Sequence, residues 1–191
     1  RLVGSEMCIR DSHSSTLSPF FGRENVRLII LQYGGNSVPY LKGKEGIDNY
    51  MSGLKRQIEY LRKLAPDACF LFIGPSDMST SIDGEMQTYP ILPRLVEAMK
   101  AMAEECGIAY WDLYAAMGGR GSMMKWVDAY LAGPDYVHFT PKGARHVGNI
   151  LYETLEFYHK FYDLQIHFPR YRLNPRYRLI RPLPVHPYDG I

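Results

Sequence analysis

Residues 26–36 read VRLIILQYGGN, and this stretch decides the fold class. The apolar run 26–31 is short and rich in branched side chains, which is typical of a strand buried in a parallel sheet. It leads into Gly34, Gly35 and Asn36, residue types that interrupt a strand and favour a turn. We therefore predict a buried strand with a tight loop at its carboxyl end.

Two more apolar runs repeat this pattern further along the chain. Residues 69–73 (CFLFI) and 108–111 (IAYW) are predicted strands. Apolar residues at steps of three and four predict helices over 47–61 and 91–106. Strands that alternate with helices of this length indicate βαβ units, so the predicted fold class is α/β with a parallel sheet.

The parallel sheet also predicts where a ligand binds. Right-handed crossovers place the carboxyl ends of all three strands at one edge of the sheet, and ligands of such sheets bind there. Residues 34–36, residues 74–77 and Asp112 follow the three predicted strands. Downstream, Thr140 and Pro141 are typical of the cap and first residue of a last helix, which we expect to end near His159.

Composition excludes several classes of protein. The chain has 191 residues, of which 46% are hydrophobic and 22% are charged, and this balance is typical of a globular domain and not of a disordered one. Its three cysteines show neither zinc-site spacing nor a disulfide framework. The net charge of +2 does not by itself imply nucleic acid as a partner. No apolar run approaches the roughly 18 residues of a membrane helix.

The predicted catalytic residues are Asp135, His138 and Asn36. A histidine can act as a general base near neutral pH, and an aspartate can hold its tautomer and stabilise the imidazolium. On a tight turn Asp135 can reach the Nδ1–H of His138 and leave Nε2 facing the cleft. Asn36 can direct its amide N–H at an oxyanion, and losing one such donor costs about 10²–10³ in rate.

These residues resemble the blocks of the SGNH, or GDSL, hydrolase family. The family's Gly-x-Asn block is similar to residues 34–36, and its Asp-x-x-His block is similar to Asp135 and His138 in the run DYVHFTPKGARHVG. The resemblance covers about residues 24–160. The runs LQYGGNSVPY, GPSDMST and AYWDLYAAMGG are most similar to the branch of O-acetylesterases that act on polysaccharides or peptidoglycan.

The resemblance implies a three-layer α/β/α, flavodoxin-like fold and a serine esterase that removes acyl groups, acetyl above all, from a carbohydrate. It implies His138 as the base, Asp135 as its orienting partner and Asn36 as an oxyanion donor, with neither a metal nor an organic cofactor. It also implies export to the periplasm or beyond, with the signal region upstream of this chain. The expected substrate-binding residues are Gly34, Gly35 and Trp126.

The family's nucleophile block, Gly-Asp-Ser, does not occur in this sequence. Asp11-Ser12 lacks the glycine and ends the stretch 1–12, which resembles a translated sequencing-adapter scar. Ser37 and Ser76 follow predicted strands and are typical of turn residues that bond local backbone. We therefore expect an N-terminally truncated hydrolase that lacks its first strands and is inactive alone.

The remaining segments give the predicted domain boundaries. The hydrolase-like domain is expected over 13–160, and 161–191 is expected to be a basic, poorly ordered tail. The sequence PRYRL at 169–173 recurs at 175–179. Interleaved Arg and Tyr can bind nucleic acid, but the frequent prolines favour an extended tail, and no nucleic-acid partner is expected.

Two alternatives to an esterase remain open at this stage. A non-catalytic, polysaccharide-binding relative on the same fold would retain the same strands and loops. A nucleotide- or phosphate-binding domain is the third class, but neither GxGxxG nor a P-loop follows any predicted strand.

Overall fold

A computed structural model describes residues 25–167, together with Pro19 and Phe21. The suspected scar at 1–12 lies outside the described residues, as does the predicted tail beyond His167. The described chain divides into two compact units. The first unit contains residues 25–75 and Ile91–Trp111, and the second contains Ser76–Pro90 and residues 112–167.

Strands and helices alternate through most of the described chain. The strands are β1 (Leu28–Gln32), β2 (Cys69–Ile73), β3 (Ser79–Ile82), β4 (Glu85–Thr88) and β5 (Ala109–Trp111). The helices are α1 (Gly43–Leu64), α2 (Leu92–Glu105), α3 (Leu113–Met117), α4 (Ser122–Asp128) and α5 (Pro141–His167).

The first unit contains a three-stranded parallel sheet in the order β1-β2-β5. Leu28 pairs with Cys69, and Leu71 pairs with Ala109. The prediction of an α/β fold with a parallel sheet is confirmed. The prediction that the first strand is buried is wrong, because β1 is the end strand of the sheet in the described residues and only Leu31 is buried in it. Because all three strands run in the same direction, the loops that follow them leave the sheet at one edge, as predicted.

Helices α1 and α2 bury the apolar faces that the sequence pattern predicted. Each face recurs at steps of three and four residues, which places its members along one side of the helix. The buried residues of α1 are Ile47, Met51, Leu54, Ile58 and Leu61. Those of α2 include Leu92, Leu95, Val96, Met99 and Met102.

The second unit contains a two-stranded hairpin that the sequence analysis did not predict. Strands β3 and β4 are antiparallel and are joined by Asp83 and Gly84, which both have positive φ. Two residues with positive φ form the turn type that suits a tight hairpin, and Asp-Gly is a common sequence for it. The short helix α3 was also missed. Its cap is Asp112, whose carboxylate accepts a hydrogen bond from the Ala115 N–H at 2.8 Å.

Helix α5 is longer than predicted, since it continues to His167 instead of ending near His159. The first residues assigned to the tail are therefore helical. The physical reason is that no proline interrupts the pattern before Pro169. No helix in the described part of the chain is both long and apolar enough to cross a membrane.

Candidate active site

Asp135 and His138 lie in the second unit on a tight turn between Ala132 and Phe139, which pair as an isolated antiparallel bridge. The Gly133 N–H donates to the His138 carbonyl at 2.8 Å, which closes the turn. Within the turn, backbone geometry brings the two predicted catalytic side chains to the same side.

The Asp135 carboxylate is bound on both of its oxygens. Oδ1 accepts the backbone N–H groups of Val137 and His138, each at 3.0 Å. Oδ2 lies 2.7 Å from Nδ1 of His138. These hydrogen bonds favour the ionised carboxylate and lower the pKa of Asp135 to about 2. The hydrogen bonds from His138 have the largest effect on this pKa. Asp135 is therefore an anion across the physiological pH range.

This geometry suits a general base. With its proton on Nδ1, the His138 ring donates to Asp135 and keeps a lone pair on Nε2. The His138 side chain is 80% exposed, so Nε2 is open to an incoming hydroxyl. The carboxylate would stabilise the imidazolium once the ring has accepted a second proton.

The start of α5 fixes the residues that follow this turn. Thr140 caps the helix, because its hydroxyl accepts the Gly143 N–H at 3.1 Å and donates to the Tyr130 carbonyl at 2.9 Å. A Cβ atom at Gly143 would overlap the Leu131 carbonyl oxygen, so only glycine fits there. The predicted cap is confirmed, and the run HFTPKG sets the angle at which α5 leaves the turn.

Asn36 lies in the first unit, in a 3-10 helix of one turn, Gly35–Ser37, that follows β1. Gly34 begins this turn with φ of +108°, and a Cβ atom there would lie 2.7 Å from Cε of Met99. The Ser37 N–H donates to the Gly34 carbonyl at 3.0 Å. Asn36 is exposed, so its amide is open to solvent and to a ligand. The loop thus combines a tightly packed glycine with an outward-facing amide.

Trp126, the third expected substrate-binding residue, is 7% exposed in the second unit. Its indole N–H donates to the Met117 carbonyl at 3.1 Å. Its ring packs against Phe139 and His146, with ring centroids 5.4 Å apart in each case. The structure gives Trp126 a packing role, and its contact with substrate stays a prediction.

Asp77 is fully buried in the second unit, and no role is predicted for it from the sequence. Its carboxylate accepts hydrogen bonds from the Thr88 hydroxyl at 2.9 Å and the Met123 N–H at 2.8 Å. These partners stand 11 and 46 residues away along the chain, so no local pattern marks them. The sequence indicated only that residues 74–77 follow a predicted strand, at the edge of the sheet where ligands bind.

Comparisons with known proteins agree with this fold. One solved structure, described as a peptidoglycan O-acetylesterase in action, superposes with a TM-score of 0.65 at 24% identity. The match covers 75% of this chain and 40% of that chain, so this chain spans less than half of that protein. A second crystal structure gives a TM-score of 0.52 at 18% identity and covers 70% of this chain and 66% of that chain. The curated proteins include no match.

Residues 10–146 match the model of the GDSL-like lipase/acylhydrolase family. This range is more than half of the chain and contains the 34–36 loop together with Asp135 and His138. The parallel three-stranded sheet with its flanking helices is consistent with the flavodoxin-like fold of these hydrolases. The chain therefore belongs to the GDSL-like lipase/acylhydrolase family.

Proposed function

We propose that this chain carries the general base of a serine esterase that removes acetyl groups from a carbohydrate. The observation that carries the proposal is the 2.7 Å hydrogen bond between Nδ1 of His138 and the anionic Asp135 carboxylate. That pair orients one imidazole and leaves its other nitrogen open. The family match supports acyl hydrolysis as the reaction.

The proposed reaction has two halves. A serine Oγ attacks the ester carbonyl carbon while Nε2 of His138 accepts the serine proton, and Asp135 stabilises the imidazolium. Asn36 donates its amide N–H to the oxyanion. The sugar oxygen leaves with the proton from His138. Water then attacks the acyl-enzyme, gives its proton to His138, and releases acetate as the proton returns to the serine.

The nucleophile in this proposal is a serine of a Gly-Asp-Ser block that this sequence does not contain. Asp11-Ser12 falls inside the family match and is the segment most similar to such a block. The test is p-nitrophenyl acetate hydrolysis by the purified chain and by its His138→Ala and Ser12→Ala variants. We expect no turnover that depends on either residue. Turnover lost in both variants would make Ser12 the nucleophile and overturn this part of the proposal.

A carbohydrate ester is the proposed substrate because a solved structure on the same fold is described as a peptidoglycan O-acetylesterase. The test is acetate release from O-acetylated peptidoglycan and acetylated xylan by a longer form of the protein that carries the proposed Gly-Asp-Ser block, with chemically deacetylated polymer as control. We expect release from at least one polymer, and faster cleavage of p-nitrophenyl acetate than of the octanoate. Binding of the polymers without acetate release would contradict the esterase and favour a polysaccharide-binding protein.

A further inference from the structure

Asp77 is a fully buried carboxylate that the proposed reaction does not use. It joins three segments of the second unit. Its Oδ1 accepts the Thr88 hydroxyl at the end of β4, at 2.9 Å. Its Oδ2 accepts the Met123 N–H at 2.8 Å and the Ser122 hydroxyl at 3.3 Å, both in the first turn of α4. Asp77 therefore ties the base of the β3–β4 hairpin to α4.

Thr88 extends this network by one further bond. Its hydroxyl oxygen accepts the Gly121 N–H at 2.8 Å while its proton is directed at Asp77. Burial raises the pKa of Asp77, because the carboxylate has lost its water, and the hydrogen bonds from Met123 and Thr88 oppose that effect. A buried polar group of this kind is costly unless every partner is in place, so the network fixes one arrangement of the hairpin.

The hairpin in turn contacts the turn that holds the catalytic pair. The Tyr89 N–H donates to the Met78 carbonyl at 3.0 Å, so these two residues form a hydrogen-bonded pair. Bonds alternate along an antiparallel ladder, and the next pair, Ser79 with Thr88, is therefore not hydrogen-bonded. The Ser79 N–H points away from β4 and donates to the Tyr136 carbonyl at 3.1 Å.

The carbonyl that Ser79 binds belongs to the peptide between Tyr136 and Val137. That peptide is planar, so its carbonyl and its N–H turn together. The Val137 N–H donates to Oδ1 of Asp135 at 3.0 Å. The same plane is thus held by Ser79 on one side and by Asp135 on the other. Tyr136 has φ of +57°, a left-handed conformation that a side chain disfavours and that outside contacts must hold.

We propose that Asp77 and Ser79 are positioning residues for the Asp135–His138 pair. Asp77 holds the hairpin, the Ser79 N–H holds the Tyr136–Val137 peptide, and that peptide orients the Asp135 carboxylate toward the His138 ring. The catalytic meaning of this role rests on the proposed function. The test of this role measures the titration of Asp135 directly and requires no esterase activity.

The sharpest test compares two substitutions at one position. Ser79→Pro removes the N–H that reaches Tyr136, and it does so at the first residue of a strand, where proline is tolerated. Ser79→Ala keeps that N–H and removes only the Ser79 hydroxyl, which has no hydrogen-bond partner among the described residues. The alanine variant is therefore the matched control.

The readout is the titration of the Asp135 carboxyl carbon, followed by NMR in the whole chain. In the unmodified chain and in Ser79→Ala we expect a pKa of about 2, so that the carboxyl is almost fully ionised at about pH 3.5. In Ser79→Pro the pKa should rise toward the ordinary value of about 3.9, at which about 70% of the carboxyl would be protonated at that pH. A folded Ser79→Pro chain with an unchanged titration would overturn the proposal.

Asp77→Ala tests the contribution of Asp77 in the same way. Like Ser79→Pro, it should raise the pKa of Asp135, and an unchanged pKa in the folded variant would remove Asp77 from the proposal.

If neither variant folds, hydrogen exchange in the unmodified chain decides. The Val137 amide should be protected as strongly as the Tyr89 amide. Fast exchange at Val137 with slow exchange at Tyr89 would refute the proposed contact between the hairpin and the turn. If the longer protein that carries the Gly-Asp-Ser block shows no esterase activity, the proposed function is refuted. The titration and hydrogen-exchange results do not depend on that outcome.

Discussion

At the scale of single residues, the Asp135 carboxylate does two things at once. One oxygen closes the turn by accepting two backbone N–H groups, and the other fixes the His138 ring. The backbone bonds and the ring bond both favour the anion, which is why the pKa falls to about 2. A carboxylate bound in this way cannot easily take up a proton, so a protonated His138 ring would keep a charged partner.

This pKa predicts how stability depends on pH. The folded-state pKa of Asp135 is lowered from an ordinary value of about 3.9, so its contribution is present above about pH 4 and is lost as the pH falls toward about 2. The contribution is small, because the side chain is half exposed and solvent screens it. The difference in unfolding free energy between the unmodified chain and Asp135→Asn, from urea titrations, should be constant above about pH 5 and shrink below about pH 4. A difference that stays constant down to about pH 2 would contradict the assignment.

The contact between Asp135 and His138 could be predicted from the sequence, because local spacing determines it. Asp135 and His138 are three residues apart, and a turn of that length can bring their side chains together without help from distant residues. Asp77 could not be predicted, since its partners come from β4 and from the start of α4. The burial of Asp77 results from tertiary structure, and no periodic pattern in the sequence indicates it.

At the scale of the elements, α5 is placed by one glycine. The backbone at Gly143 passes so close to the Leu131 carbonyl that no side chain fits, and Thr140 caps the same helical turn. The turn that holds Asp135 and His138 lies between Leu131 and Thr140 along the chain. The position of α5 therefore determines where the turn ends.

Gly143→Ala should destabilise the chain by about 3 kcal/mol, because the added methyl group forces the first turn of α5 away from the Leu131 carbonyl. Gly148→Ala is the matched control on the same helix. Nothing lies within 4 Å of a Cβ atom there, so alanine should stabilise the helix by about 0.5–1 kcal/mol. Urea denaturation followed by circular dichroism measures both. Equal effects of the two substitutions would show that the close approach at Gly143 does not determine stability.

Periodic helices and continuous apolar strands were predictable, and the short, mostly polar strands of the hairpin were not. Helices α1 and α2 repeat their apolar residues over several turns, and the parallel strands are continuous apolar runs, of which β2 is buried and β1 is only partly buried. Strands β3 and β4 have four residues each, and of their eight residues only Ile82 and Met86 are apolar. The Asp83-Gly84 pair was the available signal, but without an alternating apolar pattern it does not distinguish a hairpin from an ordinary loop.

At the scale of the whole molecule, the parallel sheet has an uncovered strand within the described residues. There β1 pairs only with β2. Two apolar side chains on one face of β1, Leu28 and Ile30, are 51% and 50% exposed. Exposed apolar strands at a sheet edge favour pairing with another chain.

We therefore expect the purified chain to associate as its concentration rises. Ile30→Lys should reduce this association, because it removes an apolar side chain and adds a charge. Gln32→Lys adds the same charge on the same strand without removing apolar surface, so it should have the smaller effect. Light scattering across a dilution series measures both variants. An unmodified chain that stays monomeric throughout would contradict the expectation.

His138 is proposed to be the general base of an acylhydrolase. The most direct test is the rate of p-nitrophenyl acetate hydrolysis by a longer form of the protein that carries the proposed Gly-Asp-Ser block, with and without His138→Ala. The variant should retain the wild-type circular dichroism spectrum and lose about 10⁴- to 10⁶-fold in kcat. A folded His138→Ala protein that hydrolyses the ester at the wild-type rate would contradict the claim.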